Sequence, residues 1–135
     1  MKVRDVMTEH VLTIEADAPV SQAHAWMRER AIRHLPVMRD GALVGVLSER
    51  DVFLLLSLSG VEAEGESVEE AMTDVPFSVG PDDALAAVTR EMAARKYGCA
   101  VVVEGHRVVG ILTAVDALRG LSDLLDALAP SEGRA

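Results

Sequence analysis

Val44-Gly45-Val46-Leu47-Ser48-Glu49-Arg50-Asp51 is an apolar run of strand character that ends on a hydroxyl and an acid, and Val109-Gly110-Ile111-Leu112-Thr113-Ala114-Val115-Asp116 repeats it 65 residues later. Sliding the chain against itself by that interval lays Val3 to Leu54 over Val68 to Arg119 without a gap. In that alignment 11 of the 52 pairs are identical, against about four expected from composition. Val3-Arg4-Asp5-Val6-Met7-Thr8 falls on Val68-Glu69-Glu70-Ala71-Met72-Thr73. Two copies are too few for a solenoid, so the repeat reads as one supersecondary unit, duplicated and packed around a pseudo-two-fold axis.

Within a copy the periodicities name the elements. Val11 to Ile14 reads as a short strand, closed by Asp17 and by Pro19, which suits the first turn of a helix. Val20, Ala23, Met27 and Ala31 then recur at helical spacing, as do Leu85, Val88 and Met92 in the second copy. Leu35 to Met38 and Ala42 to Leu47 are apolar runs joined by Asp40-Gly41, a hairpin signal. Val101 to Val103 and Val108 to Leu112 are joined by Gly105-His106. A second helix starts at Ser48 and runs through Val52, Leu55 and Leu56. The expected fold class is therefore α+β, with two tandem β-α-β-β-α motifs. The expected boundaries are a first motif over 1–57, a linker over 58–67, a second motif over 68–129 and a disordered tail over 130–135.

Composition narrows the function. The chain has 135 residues, 50% of them hydrophobic, enough for one compact module and too few for a typical two-domain enzyme. With 13 Lys and Arg against 22 Asp and Glu, the net charge of −9 argues against direct nucleic-acid binding, which needs cations along a phosphate backbone. The charge is uneven. No Lys or Arg occurs between Leu54 and Thr89, whereas Arg28, Arg30, Arg33, Arg39 and Arg50 fall within 23 positions, so a small anion could find a basic pocket. The apolar run Val52 to Leu56 is far short of the ~20 residues of a membrane span, and a cytoplasmic location without membrane association is expected. One cysteine, Cys99, and four scattered histidines give no disulfide and no zinc-binding spacing. No nucleophile elbow, phosphate-loop lysine motif or paired carboxylates stand out, so no catalytic residues are expected and the chain is read as a non-enzyme.

Ser48 with Asp51, and Thr113 with Asp116, admit two readings. A hydroxyl followed three residues later by an acid, ahead of an apolar helix, is a capping box. A carboxylate at a helix start is equally able to accept hydrogen bonds from the vicinal hydroxyls of a ribose. The two roles are compatible, because a helix N-terminus also favours anions.

The element order, together with Val3-x-x-Val6-Met7-Thr8, Asp17-Ala18-Pro19, Arg33-His34-Leu35-Pro36-Val37 and the Gly45 to Asp51 stretch, resembles the tandem cystathionine-β-synthase (CBS) domain pair, or Bateman module. The resemblance runs from Val3 to about Leu121. The second copy keeps Gly110-Ile111-Leu112-Thr113-Ala114-Val115-Asp116 but has Gly98-Cys99-Ala100 where the first has its basic residues and proline. The resemblance implies a regulatory module that binds adenine nucleotides, AMP or ATP, or a related adenosyl compound, in clefts between the two copies. It requires no cofactor, although Mg²⁺ could accompany ATP.

Carried onto this chain, the resemblance puts Ser48 and Asp51 on a ribose, Thr13 near the base, and Arg33 and His34 on phosphate. Arg50 is either a third cation or a partner of Glu49. The second cleft would use Ser78, Thr113 and Asp116, with fewer basic groups and hence a less charged ligand. Leu35, Pro36, Cys99, Ala100 and Val101 would wall the clefts, although such residues are core by default. Thr13 and Ser78 could equally be ordinary strand residues. Burial of Cys99 would raise its pKa and leave it inert. The resemblance further implies a homodimer formed through helices, with Trp26 as a candidate interface residue, and an effector protein that receives the signal. A ligand-free association module is the alternative from another class. A regulator of a DNA-binding or transport partner is a third.

Overall fold

The structure is a computed structural model that describes residues 1–58 and 65–129. After a 3₁₀ turn at Val3–Asp5, the described elements are β1 (Thr8–Glu9), β2 (Ile14–Glu15), α1 (Val20–Arg30), β3 (His34–Arg39), β4 (Ala42–Ser48) and α2 (Glu49–Leu56). The second half supplies α3 (Val68–Ala71), β5 (Thr73–Asp74), β6 (Ser78–Val79), α4 (Leu85–Arg95), β7 (Cys99–Glu104), β8 (Arg107–Thr113) and α5 (Ala114–Leu128). The α+β class and the doubled strand-helix-strand-strand-helix order are as anticipated. The expected tail at 130–135 and most of the expected linker lie outside the described residues. No described helix is long and apolar enough to cross a membrane.

The copies do not fold side by side. The two sheets have strand orders β2-β3-β4-β5 and β1-β8-β7-β6, so each hairpin is completed by the opening strand of the other copy. Thr8 and Glu9 pair antiparallel with Ile111 and Gly110, and Thr73 and Asp74 pair with Val46 and Gly45. The apolar residues of each opening segment follow their strand. Val68, Ala71 and Met72 pack in the core of Ile14, Val20, Met27, Leu35, Val37, Leu47 and Val52. Val3, Val6 and Met7 pack in the core of Val79, Val88, Met92, Ala100, Val102 and Leu112. Neither core is complete without residues from both halves, which ties them into one unit.

The pseudo-symmetry extends to backbone detail. Left-handed residues occur in pairs 65 apart: His10 and Val75, Ala31 and Lys96, Asp40 and Gly105. The ladder irregularities at Val37/Met38 and Val102/Val103 keep the same spacing. Asp40 (φ 52°) and Gly41 (φ 79°) provide the two positive φ angles of a type I′ hairpin turn.

Three details differ from the sequence reading. The first strand begins only at Ile14, because His10 turns the chain (φ 56°) and parallel pairing to β3 covers Ile14 and Glu15 alone. Pro19 is the residue before α1, with ψ 145°. Ala31 drops out of the buried stripe: it closes α1 in the left-handed conformation (φ 53°), exposed, with its N–H on the Met27 carbonyl. Trp26 is half-buried, packed against the first core.

Candidate functional site

Strand exchange brings the second motif's opening segment against the first motif's second helix, and a cleft of about 790 Å³ lies at that junction. One wall is the β4–α2 corner, with Val46, Ser48, Glu49, Arg50, Asp51, Phe53, Leu54 and Ser57. Arg33 and His34 contribute from the start of β3. The opposite wall comes from the second motif: Thr73, Val75, Pro76, Phe77, Lys96, Tyr97, Gly98 and Cys99. Of the residues singled out from sequence, Arg33, His34, Ser48, Arg50, Asp51 and Cys99 are thereby gathered in one place.

Ser48 and Asp51 form a complete capping box. The Ser48 N–H donates to Asp51 Oδ2 (2.9 Å) and the Asp51 N–H to Ser48 Oγ (3.0 Å). This satisfies a helix end that would otherwise leave free N–H groups, and both readings of the motif survive. Among the described residues, Asp51 Oδ1 has no hydrogen-bond donor, and Asp51 lines the cleft. Thr113 and Asp116 form the same box (3.0 and 3.1 Å), but the Thr8 hydroxyl also reaches Asp116 Oδ1 and Oδ2, at 3.0 and 3.1 Å. That carboxylate is engaged from within the protein.

The cleft is electrostatically mixed. Arg33, Arg50 and Lys96 line it with Glu49 and Asp51, and among the described residues none of the three cations makes a salt bridge. Arg50 therefore does not pair with Glu49. Burial lowers the His34 pKa below its ordinary 6.5; Asp51 works against the shift and Arg33 adds to it. At neutral pH His34 is an uncharged donor or acceptor rather than a second fixed charge beside Arg33. Burial, assisted by Asp51, pushes the Cys99 thiol up to about 12, so it remains protonated and unreactive. The folded state favours neutral His34. That contribution is therefore intact above the unfolded pKa and lost as pH falls through 6.5 toward the lower folded value.

Other expected contacts fall elsewhere. Leu35, Pro36, Ala100 and Val101 are fully buried; Leu35 and Ala100 face the two cores, Pro36 and Val101 point to the opposite faces of the same strands, and none of the four lines this cleft. Thr13 does not share the cleft with Asp51. It precedes β2 in the first motif, whereas strand exchange assigns the facing wall to Val75-Pro76-Phe77 of the second. Ser78 sits next to that wall, its hydroxyl donating to the Pro76 carbonyl (3.2 Å), without lining the cleft. Thr113 and Asp116 belong to the other corner.

Sequence reasoning missed Lys96, Phe77 and Tyr97. For the two rings the signal was compositional: the chain has four aromatics, and three of them, Phe53, Phe77 and Tyr97, line this cleft. The Phe77 and Tyr97 ring centroids are 5.1 Å apart with planes inclined by 32°. At the rim, Val75 is 89% exposed with φ 50°, a strained conformation for a β-branched residue. A separate apolar groove of about 870 Å³ runs between α4 and α5, with Leu85, Met92, Ala117, Leu118, Leu121 and Leu124 in its lining.

A family model for the CBS domain matches residues 3–58 and 68–128. The chain belongs to the CBS-domain family. Its two CBS repeats account for nearly all the described residues. A homoserine O-acetyltransferase of Methanococcoides burtonii is 33% identical over 119 residues, covering 87% of this chain but 23% of that protein. The chain thus spans about a quarter of that relative's length. The CBS domain pair of protein MJ0100, solved with 5-methylthioadenosine and S-adenosyl-L-methionine, superposes with a TM-score of 0.82 at 25% identity, covering 91% of this chain and 97% of that one. CBSX2 in complex with AMP superposes with a TM-score of 0.79 at 26% identity, covering 91% and 97%.

Proposed function

We propose that this CBS pair is a regulatory module, without catalysis of its own, that binds an adenine nucleotide in the cleft at the β4–α2 corner. One observation carries the reading. A carboxylate oxygen without a donor among the described residues, at Asp51, shares a cleft with Arg33, Arg50 and Lys96 and with the Phe77–Tyr97 ring pair. These are the groups that a ribose diol, a phosphate and a purine require. The adenosyl compounds and AMP held by the MJ0100 pair and CBSX2 support the same class. A divalent ion would enter only with the phosphates of a triphosphate. AMP at 100 times its Kd should raise apparent stability by about 2.7 kcal/mol in a thermal-shift assay. No shift with AMP, ATP or methylthioadenosine would leave the association-module reading in its place.

His34 gives this reading a pH signature. A phosphate beside a buried neutral imidazole favours its protonation, so between about pH 7.5 and about 5.5 His34 should add proton uptake to AMP binding. This is set against the release that the three cations favour from a phosphate whose second pKa is about 6. Calorimetry in buffers of different ionisation enthalpy measures the net exchange. His34→Gln should shift the measured exchange toward release, and an unchanged exchange in that variant would remove His34 from the phosphate.

The signal would leave through an effector protein in the cytoplasm and through a homodimer built on α5. That helix exposes Leu118 (62%), Leu121 (50%), Leu125 (54%) and Leu128 (73%) along one stripe, next to the apolar α4–α5 groove. A second copy presenting the same stripe would cover this surface. Light scattering should report a dimer for the wild type and a monomer for Leu121→Asp. A Leu121→Asp dimer as stable as the parent would place the interface elsewhere.

A further inference from the structure

We infer that the two clefts are not equivalent. The chain carries one functional ligand site, at Asp51, while the corner at Asp116 is a closed structural copy latched by Thr8. For the open cleft this rests on the nucleotide reading above; the latch rests on geometry alone.

The duplicated residues are the same at both corners. Thr8 corresponds to Thr73 and Asp116 to Asp51, yet only one pair joins. Thr8 Oγ1 lies 3.0 and 3.1 Å from the two Asp116 oxygens, and Asp116 is 8% exposed. Thr73 lines the first cleft, and among the described residues Asp51 receives only its capping N–H. A diol approaching Asp116 would have to displace the Thr8 hydroxyl, which β1 holds in place through its pairing with β8. The desolvated carboxylate gains little by exchanging one hydroxyl donor for another.

The aromatic side chains are distributed with the same bias. Lys96, Arg33 and Arg50 line the first cleft, and the residues 65 positions away are Ala31, Gly98 and Val115. Phe77 and Tyr97 correspond to Leu12 and Ile32. The bias is not uniform: the counterparts of Leu54, Val75, Gly98 and Cys99, which also line the first cleft, are Arg119, His10, Arg33 and His34. A Cβ on Gly98 would come 2.8 Å from His34 Nε2, so a side chain at the matching place would require the imidazole reaching across from the first copy to move. The aromatic rings therefore concentrate where the carboxylate is open: Phe53, Phe77 and Tyr97 line that cleft and their counterparts are Leu118, Leu12 and Ile32.

Calorimetric titration of the full chain with AMP tests the proposal. The wild type should bind one equivalent. In Asp51→Asn the whole isotherm should weaken at least tenfold, with no tight component left; Arg33→Glu, which leaves the capping box intact, guards against a folding artefact. Two equivalents in the wild type, or one tight equivalent retained in Asp51→Asn, would overturn the one-site proposal. If AMP does not bind at all, the nucleotide reading fails, and the latch is judged by urea unfolding. Thr8→Val and Asp116→Asn should each lower the midpoint, and the double variant should fall by clearly less than their sum. Fully additive shifts would show that Thr8 does not hold Asp116.

Discussion

Gly110→Val should destabilise the protein by about 3 kcal/mol or more, at the upper end of what overpacking costs, and Gly45→Val should do the same in the other sheet. A Cβ on Gly110 would lie 2.9 Å from the Thr8 carbonyl oxygen and 2.8 Å from Met7 Sδ; on Gly45 it would lie 2.8 Å from the Thr73 carbonyl and 2.5 Å from Met72 Sδ. The methionine ends can swing aside, but the carbonyls cannot, because each belongs to the exchanged strand that pairs at that glycine. Relief of the clash requires the opening segment to lift off, and Val3 or Val68, both fully buried, would leave its core with it. The urea midpoint of each variant measures the effect. A change below about 0.5 kcal/mol, the level of an ordinary surface substitution, would mean that strand exchange contributes little to the fold.

The second large effect concerns Asp51. Asp51→Asn retains an amide oxygen able to accept the Ser48 N–H (2.9 Å in the native capping box) but replaces the other carboxylate oxygen with a donor. Helix α2 should therefore survive, with stability close to that of the parent, while a ribose diol loses a charged acceptor. Hydrogen bonds to charged groups contribute about 1.5–3 kcal/mol each, which corresponds to at least a tenfold loss of AMP affinity. Asp51→Ala should lose the same affinity and, in addition, about 1 kcal/mol of stability from the cap. Equal AMP affinity in the parent and in Asp51→Asn would reduce Asp51 to a capping residue.

These two predictions also mark how far the sequence could be read. The repeat, the hairpins and both capping boxes were legible, because spacing and turn chemistry are local: Asp40-Gly41 needs no tertiary context to imply its turn, nor Ser48-x-x-Asp51 its helix start. The matched glycines were visible as identities, but their cause was not, since the carbonyl that excludes a side chain arrives from the other copy's opening strand, that of Thr8 for Gly110 and that of Thr73 for Gly45. For the same reason Thr13 was grouped with Asp51: a repeat reveals equivalent positions but not which copy faces which. Strand exchange reversed that assignment, putting Phe77 and Tyr97 opposite Asp51. Lys96 was hidden because nothing local distinguishes a cation that closes a helix from one that faces a cleft.

The asymmetry between the corners was partly legible. Gly98-Cys99 in place of Arg33-His34 marks the two copies as different, although all four residues line the same cleft. The Thr8–Asp116 contact was not, because the identical pair Thr73 and Asp51 stays open and only side-chain placement separates them. His34 lies between these cases: its type suggested a cation, and burial in the folded chain makes it neutral at neutral pH.

The most direct measurement is a crystal structure of the protein grown with AMP. One molecule should occupy the cleft between α2 and the Val75-Pro76-Phe77 segment, its ribose hydroxyls within about 3.2 Å of Asp51, its phosphate toward Arg33 and its base beside Phe77 and Tyr97, with Thr8 still on Asp116. AMP seated on Asp116, or bound with its ribose turned away from Asp51, would contradict the account.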